Sequence, residues 1–151
     1  MRIRRARAPD LDVIVANNLA MALETEGKGL DPKVARSGAR SVLDDEGRGF
    51  YLVAESDDRI VGQCMITYEW SDWRDGAFWW IQSVYVSPED RGRGVFSALF
   101  REVERLAKDD GGVVGLRLYV ERNNMAAQQA YSRLGMDGSH YIVFESHFTR
   151  P

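Results

Sequence analysis

The sequence predicts one α/β domain over residues 1–151, built on a mixed, mostly antiparallel sheet with flanking helices. Three observations carry this expectation. Three strand-forming runs follow one another between residues 50 and 86 with short links, four other segments have helical periodicity, and the C-terminal half alternates strand, helix, strand, helix, strand. Aromatic and β-branched runs bounded by polar turns read as strands; apolar residues three or four apart read as one face of a helix.

The elements follow in order. RIRRAR (2–7) sets Ile3 between arginines and reads as a short strand, after which Pro9 and Asp10 open a helix carrying Leu11, Ile14, Val15, Leu19, Ala22 and Leu23. ETEGKGLD (24–31) breaks that helix with two glycines, and Asp31 and Pro32 restart one through 45, as N-cap and first helical residue. FYLVAES (50–56), the turn DDR and IVGQCMITYEW (60–70) form a hairpin pattern, and FWWIQSVYV (78–86) adds a third strand. Short links between strands imply an antiparallel meander. A glycine turn, a helix from about 94 to 108, the strand VVGLRLYV, the helix NMAAQQAYSRLG and a strand near HYIVFESHF complete the chain. The segment 84–120 has room for one βαβ crossover.

Composition narrows the function classes. A chain of 151 residues buries about two-thirds of its unfolded surface in a single core and needs no staple. A lone cysteine, Cys64, cannot form an internal disulfide, and two histidines without Cys/His spacing give no zinc pattern, so no metal and a reducing, cytoplasmic setting are expected. The opening MRIRRARAPD lacks the apolar centre of a signal peptide, and no long apolar span occurs, so neither export nor a membrane role is expected. With 20 basic and 23 acidic residues interspersed, charge makes no case for nucleic acid.

The stretch VSPEDRGRGVFSALF raises the sharper question of why a helix should open on glycine. Gly92 and Gly94 weaken a helix unless the bare backbone has a use there. One use is a strand-to-helix turn that needs positive φ. The other is an anion cradle, since the first amides of a helix are unpaired and carry partial positive charge. A dinucleotide-binding turn would need a third glycine and a P-loop would need Gly-Lys-Ser/Thr, and neither pattern is present.

Strand, Arg-Gly-x-Gly, helix resembles the GNAT superfamily of N-acetyltransferases, in which Gln/Arg-x-x-Gly-x-Gly/Ala follows the fourth strand. Arg91, Gly94 and Phe96 align with that motif. A second motif of the family, Asn-x-x-Ala-x-x-x-Tyr followed by Gly-Phe, is matched by Asn124, Ala127, Tyr131 and Gly135, with Met136 replacing phenylalanine. The resemblance implies a splay between strands four and five and acetyl-CoA as cosubstrate. Val84 and Val86 would offer backbone to the pantetheine arm. Arg91, Gly92 and the amides of Arg93, Gly94, Val95, Phe96 and Ser97 would meet the pyrophosphate, and Asn124 would touch the cofactor arm. Tyr131 would be the acid that protonates the departing thiolate, a task suited to a phenol near pKa 10. Packing is the competing role for the Tyr131 ring, and helix capping for Asn124.

Two positions depart from the pattern. Phe96 stands where glycine or alanine is usual, and either narrows the pyrophosphate pocket or turns into the core with Phe100. Gln82 stands where many relatives carry a glutamate base, and an amide cannot take a proton. The implied reaction is direct attack of a neutral primary amine of a small molecule on the thioester, in a ternary complex. A lysine-like amine costs about 4.6 kcal/mol to neutralise at pH 7, so proton removal matters. Glu69 and Asp72 are the nearest carboxylates by sequence; alternatively Gln82 or Ser83 holds a relaying water. Trp70, Trp73, Trp79 and Trp80, with Glu24 and Glu26 at the end of the first helix, surround the acceptor site that the resemblance implies, where rings and carboxylates would suit a cation. The same rings also suit a core or a homodimer face. A non-catalytic acyl-CoA-binding module is the alternative function.

Overall fold

The computed structural model describes residues 1–148 and contains two compact units, Met1–Tyr119 and the part from Val120 onward. The first unit holds β1 (Arg2–Arg5), α1 (Leu11–Glu26), α2 (Pro32–Asp44), β2 (Phe50–Ser56), β3 (Arg59–Ser71), β4 (Gly76–Val86), α3 (Val95–Asp110) and β5 (Val113–Leu118). Its five strands lie in the order β1-β2-β3-β4-β5. The pairs β1–β2, β2–β3 and β3–β4 are antiparallel and β4–β5 is parallel, so α3 is the crossover of the one βαβ unit.

Local chemistry sets the element ends. A single turn of tighter helix, Ala8–Asp10, leads into α1, and Asp10 accepts from the Arg7 amide at 2.7 Å and from both Arg4 Nη atoms at 2.8 and 3.0 Å. Gly27 ends α1 in the left-handed region at φ 63°, a conformation that costs glycine little. The Asp31 carboxylate caps α2 by accepting from the Lys33 amide at 2.9 Å, with Pro32 in the first position. Between β2 and β3 the hairpin turns on Asp57 and Asp58, both at positive φ, the backbone that matches the twist of a two-residue connection.

Alternation along the strands builds two layers. On one face Tyr51 packs with Leu11, Ile14 and Val15 of α1 and Ala39 of α2, and Met65 borders the cluster. On the other, Gly62 admits Val95 and Leu99 of α3: a Cβ at Gly62 would stand 2.6 Å from Val95 Cγ1. α3 buries Val95, Leu99, Phe100, Val103 and Ala107. Phe96 and Leu106 of the expected apolar stripe are half-buried. Cys64 lies in the sheet, and burial pushes its thiol up to about 12, which leaves it unreactive.

The second unit contains α4 (Met125–Arg133). The strand expected near 140–148 does not form among the described residues: 141–148 have no regular structure, and Tyr141, Ile142, Val143, Phe144 and Phe148 are exposed. A strand needs a neighbour for its backbone groups, and the described residues of this unit contain none. Among the described residues no helix is long and apolar enough to cross a membrane.

Candidate active site

β4 changes character along its length. From Ala77 to Ile81 it is paired on both sides, to β3 and, through Ala77↔Val113 and Ile81↔Leu118, to β5. Among the described residues β4 then runs on to Val86 paired with β3 alone, so the two parallel strands part after Ile81. At the parting point the β3–β4 register slips. Met65 pairs with Gln82 and Gln63 with Tyr85, leaving Ser83 and Val84 opposite Cys64. This is a β-bulge, with Ser83 at φ 50°. An extra residue reverses the side-chain alternation, so both Gln82 and Tyr85 project to the α1/α2 face, while Val86 pairs with Gly62 on the α3 side.

The splayed end of β4 leads through Pro88–Asp90 into the glycine turn. Gly92 and Gly94 lie at φ 77° and 78°, and nothing stands within 4 Å of a Cβ at either. Backbone sign, rather than crowding, therefore calls for glycine at both. Gly94 caps α3 without a side-chain hydrogen bond, and its carbonyl accepts from the Ala98 amide at 3.0 Å. The amides of Val95, Phe96 and Ser97 thus begin a sixteen-residue helix at its positive end. The Phe96 ring lies 6.3 Å from that of Phe100.

Charged groups brace this turn. Arg91 donates from Nε to the Val86 carbonyl at 3.0 Å and from Nη2 to Glu24 at 2.7 Å, and its guanidinium lies 5.5 Å from the Tyr85 ring centre. The Tyr85 hydroxyl donates to the other Glu24 oxygen at 3.3 Å. Asp90 is buried, bonded by Arg59 at 2.8 Å and approached by Arg93 at 3.7 Å. Arg93 itself is largely exposed.

On the α1/α2 face of β4 the acceptor-site candidates separate. Gln82 Nε2 donates to the Thr67 hydroxyl. Glu69 accepts on one oxygen from Trp80 Nε1 at 3.0 Å and on the other from Arg117 at 2.6 Å. The Trp80 ring stacks on Tyr119 with centroids 4.5 Å apart, and Arg117 lies over Phe78 at 3.6 Å. Trp70 and Trp73 are exposed, at 66% and 86%, and Asp72 is exposed in the β3–β4 turn. Trp79 belongs to the core, edge-on to Phe50 at 5.4 Å, because odd-numbered residues in this part of β4 face α3. Glu26 ends α1 in solvent. A surface hollow lined by Phe50, Tyr68, Trp79 and Asp109 lies at the opposite, paired end of β4.

Within the second unit Asn124 caps α4, its side-chain oxygen accepting from the Ala127 amide at 3.1 Å. Tyr131 is half-buried on α4, and burial pushes its phenol above the ordinary 10.0. Among the described residues no three His, Cys, Asp or Glu side chains group to hold a metal ion.

Sequence reasoning missed the Glu69–Arg117 pair and the buried amide of Gln63 beneath the bulge, because their partners are far away in the chain. A glutamine in an otherwise apolar strand run was the available signal for the second.

Comparison with known proteins places this geometry in context. A family model described as the acetyltransferase (GNAT) family matches residues 17–136. A possible acetyltransferase from Clostridium difficile 630, solved by crystallography, is 45% identical, with a TM-score of 0.92 over 99% of this chain and 98% of that one. A mycothiol acetyltransferase of Mycolicibacterium gilvum (strain PYR-GCK) is 29% identical over 85% of this chain and 42% of its own length. A thialysine N-epsilon-acetyltransferase of Bos taurus is 32% identical over 60% of this chain and 56% of its own. The chain therefore spans about half the length of these curated relatives.

Proposed function

Because the chain belongs to the GNAT family of acetyltransferases, we propose that it acts as one catalytic domain that transfers an acetyl group from acetyl-CoA to a primary amine of a small molecule. The observation that carries this reading is the end of β4: a strand released from β5, running directly into a left-handed glycine turn at the head of α3. Released strand backbone suits the amides of a pantetheine arm, which bind as an added strand would. The amides of Val95, Phe96 and Ser97 suit the pyrophosphate. The names of the mycothiol and thialysine enzymes support a small acceptor.

The amine nitrogen attacks the thioester carbonyl, the C–N bond forms and the C–S bond breaks. An amide at the β4 bulge stabilises the oxyanion, and Tyr131, a phenol that is protonated at neutral pH, gives its proton to the thiolate. Both oxygens of Glu69 already accept hydrogen bonds, and Gln82 offers an amide, so the amine proton leaves through water held near Gln82 and Ser83. Cytoplasmic location and a second copy as partner belong to the same proposal; the exposed apolar side chains of residues 141–144 support the latter, and sedimentation tests it.

Release of free CoA thiol from acetyl-CoA across a panel of amines tests the function. Turnover with at least one small amine is expected, and Tyr131→Phe should lower kcat at least tenfold while acetyl-CoA affinity stays within a few-fold. Binding without turnover of any amine would favour the acyl-CoA-binding module, which the amide at Gln82 would suit.

A further inference from the structure

We propose that Gln63 is a positioning residue for acetyl transfer: its buried side-chain amide, oriented by Asn17 and Asn18 of α1, holds the Ser83 carbonyl and with it the bulge at which β4 departs from β5. The proposal rests on the transferase reading and concerns what aims its oxyanion-binding backbone.

Gln63 lies on β3 with no solvent exposure. The other buried polar residues named in the core, Asp10 and Asp90, are each paired with an arginine, whereas Gln63 has only neutral partners. A buried amide costs stability unless its donors and acceptor are met, and an apolar side chain of the same volume would pack there without that cost. All of its groups are met in one arrangement. Nε2 donates to Asn18 Oδ1 at 2.9 Å and to the Ser83 carbonyl at 3.3 Å, and Oε1 accepts from Asn17 Nδ2 at 3.0 Å.

The bond to the Ser83 carbonyl is the informative one. Ser83 sits at φ 50°, a region that non-glycine residues occupy only when their surroundings hold them there. It lies within the register slip between Gln63 and Met65, where the regular ladder is interrupted. A side chain from the facing strand supplies a donor to the Ser83 carbonyl at that break. α1 therefore grips the released end of β4 twice: through Asn17, Asn18 and Gln63 at the bulge, and through Glu24 to Tyr85 and Arg91 beyond it. Catalysis by aimed backbone amides depends on small displacements, so loosening the first grip should slow chemistry more than it weakens binding.

Gln63→Met keeps the volume and removes the amide. Asn17→Asp, at a half-exposed position, replaces the donor to Gln63 Oε1 by an acceptor and so opposes the orientation that serves Ser83. Ile66→Val, in the core on the opposite face, serves as a comparator for a loss of Tm alone. With an amine that the unaltered chain acetylates, kcat should fall about tenfold or more in the first two variants, the acetyl-CoA dissociation constant should stay within about threefold, and Ile66→Val should leave kcat unchanged. Should Gln63→Met fail to fold, Asn17→Asp carries the test. A kcat within twofold of the unaltered chain in the folded variants, whatever their Tm, overturns the positioning role and leaves the transferase reading standing. Absence of turnover by the unaltered chain overturns both.

Discussion

The two ends of β4 share one backbone and divide the work of the strand. From Ala77 to Ile81 the strand is flanked on both sides and carries Trp79 into the core. From Gln82 to Val86 it pairs, among the described residues, with β3 alone, and it has a residue at positive φ and carbonyls held by side chains: Gln63 at Ser83 and Arg91 at Val86. The first end has the features of stability, and the second those of a backbone kept available for a ligand. The lesson is that a single inserted residue, by shifting register and reversing alternation, is enough to turn structural strand into candidate binding strand.

The largest expected effect falls on the paired end. Trp79→Ala should destabilise the fold by about 4 kcal/mol, read by denaturant melts, because a buried ring packed edge-on to Phe50 is lost. Acetyl-CoA affinity, measured where the variant is still folded, should stay within about threefold. A large loss of affinity would erase the distinction between the two ends.

A second perturbation tests the frame that holds the sheet rather than its released end. The Arg4 guanidinium beside Asp10 holds that carboxyl below its ordinary 3.8, so its contribution is present above that pH and is lost as pH falls through the depressed folded value. Asp10→Asn should cost roughly 3 kcal/mol at neutral pH and flatten the acid limb of a stability-against-pH curve below about pH 4. An unchanged acid limb would show that Arg4–Asp10 is not the group responsible.

At the released end the effect moves from stability to binding. Gly94→Val forces a β-branched residue to adopt φ 78° or the turn to rearrange, and should weaken acetyl-CoA about tenfold or more, roughly 1.4 kcal/mol, by calorimetry. Equal affinity in variant and parent would remove the glycine turn from the cofactor site.

Much of this division was legible before the fold was known. β2 occupies the expected 50–56, Asp31 and Pro32 open α2 as their types predict, and the strand, glycine turn and helix at 84–110 form a parallel crossover. These are local signals, carried by turn chemistry and periodicity. What escaped was non-local. The bulge at Ser83 depends on pairing with Gln63 twenty residues away in sequence, and Glu69 is engaged by Arg117 forty-eight residues on. For Trp79 the sequence left the acceptor site and a core both open, and strand alternation sends it to the core while Trp80 faces the other side. The run at 140–148 has the composition of a strand but no strand neighbour among the described residues of its own unit, and composition alone does not make a ladder.

The most direct test of the account is amide hydrogen exchange along β4 and the head of α3, with and without acetyl-CoA. Added protection should concentrate at residues 82–86 and 92–97 and leave residues 77–81 as they were. Protection that instead falls on the paired end, or no protection at either, would contradict the assignment of the released strand and glycine turn to the cofactor.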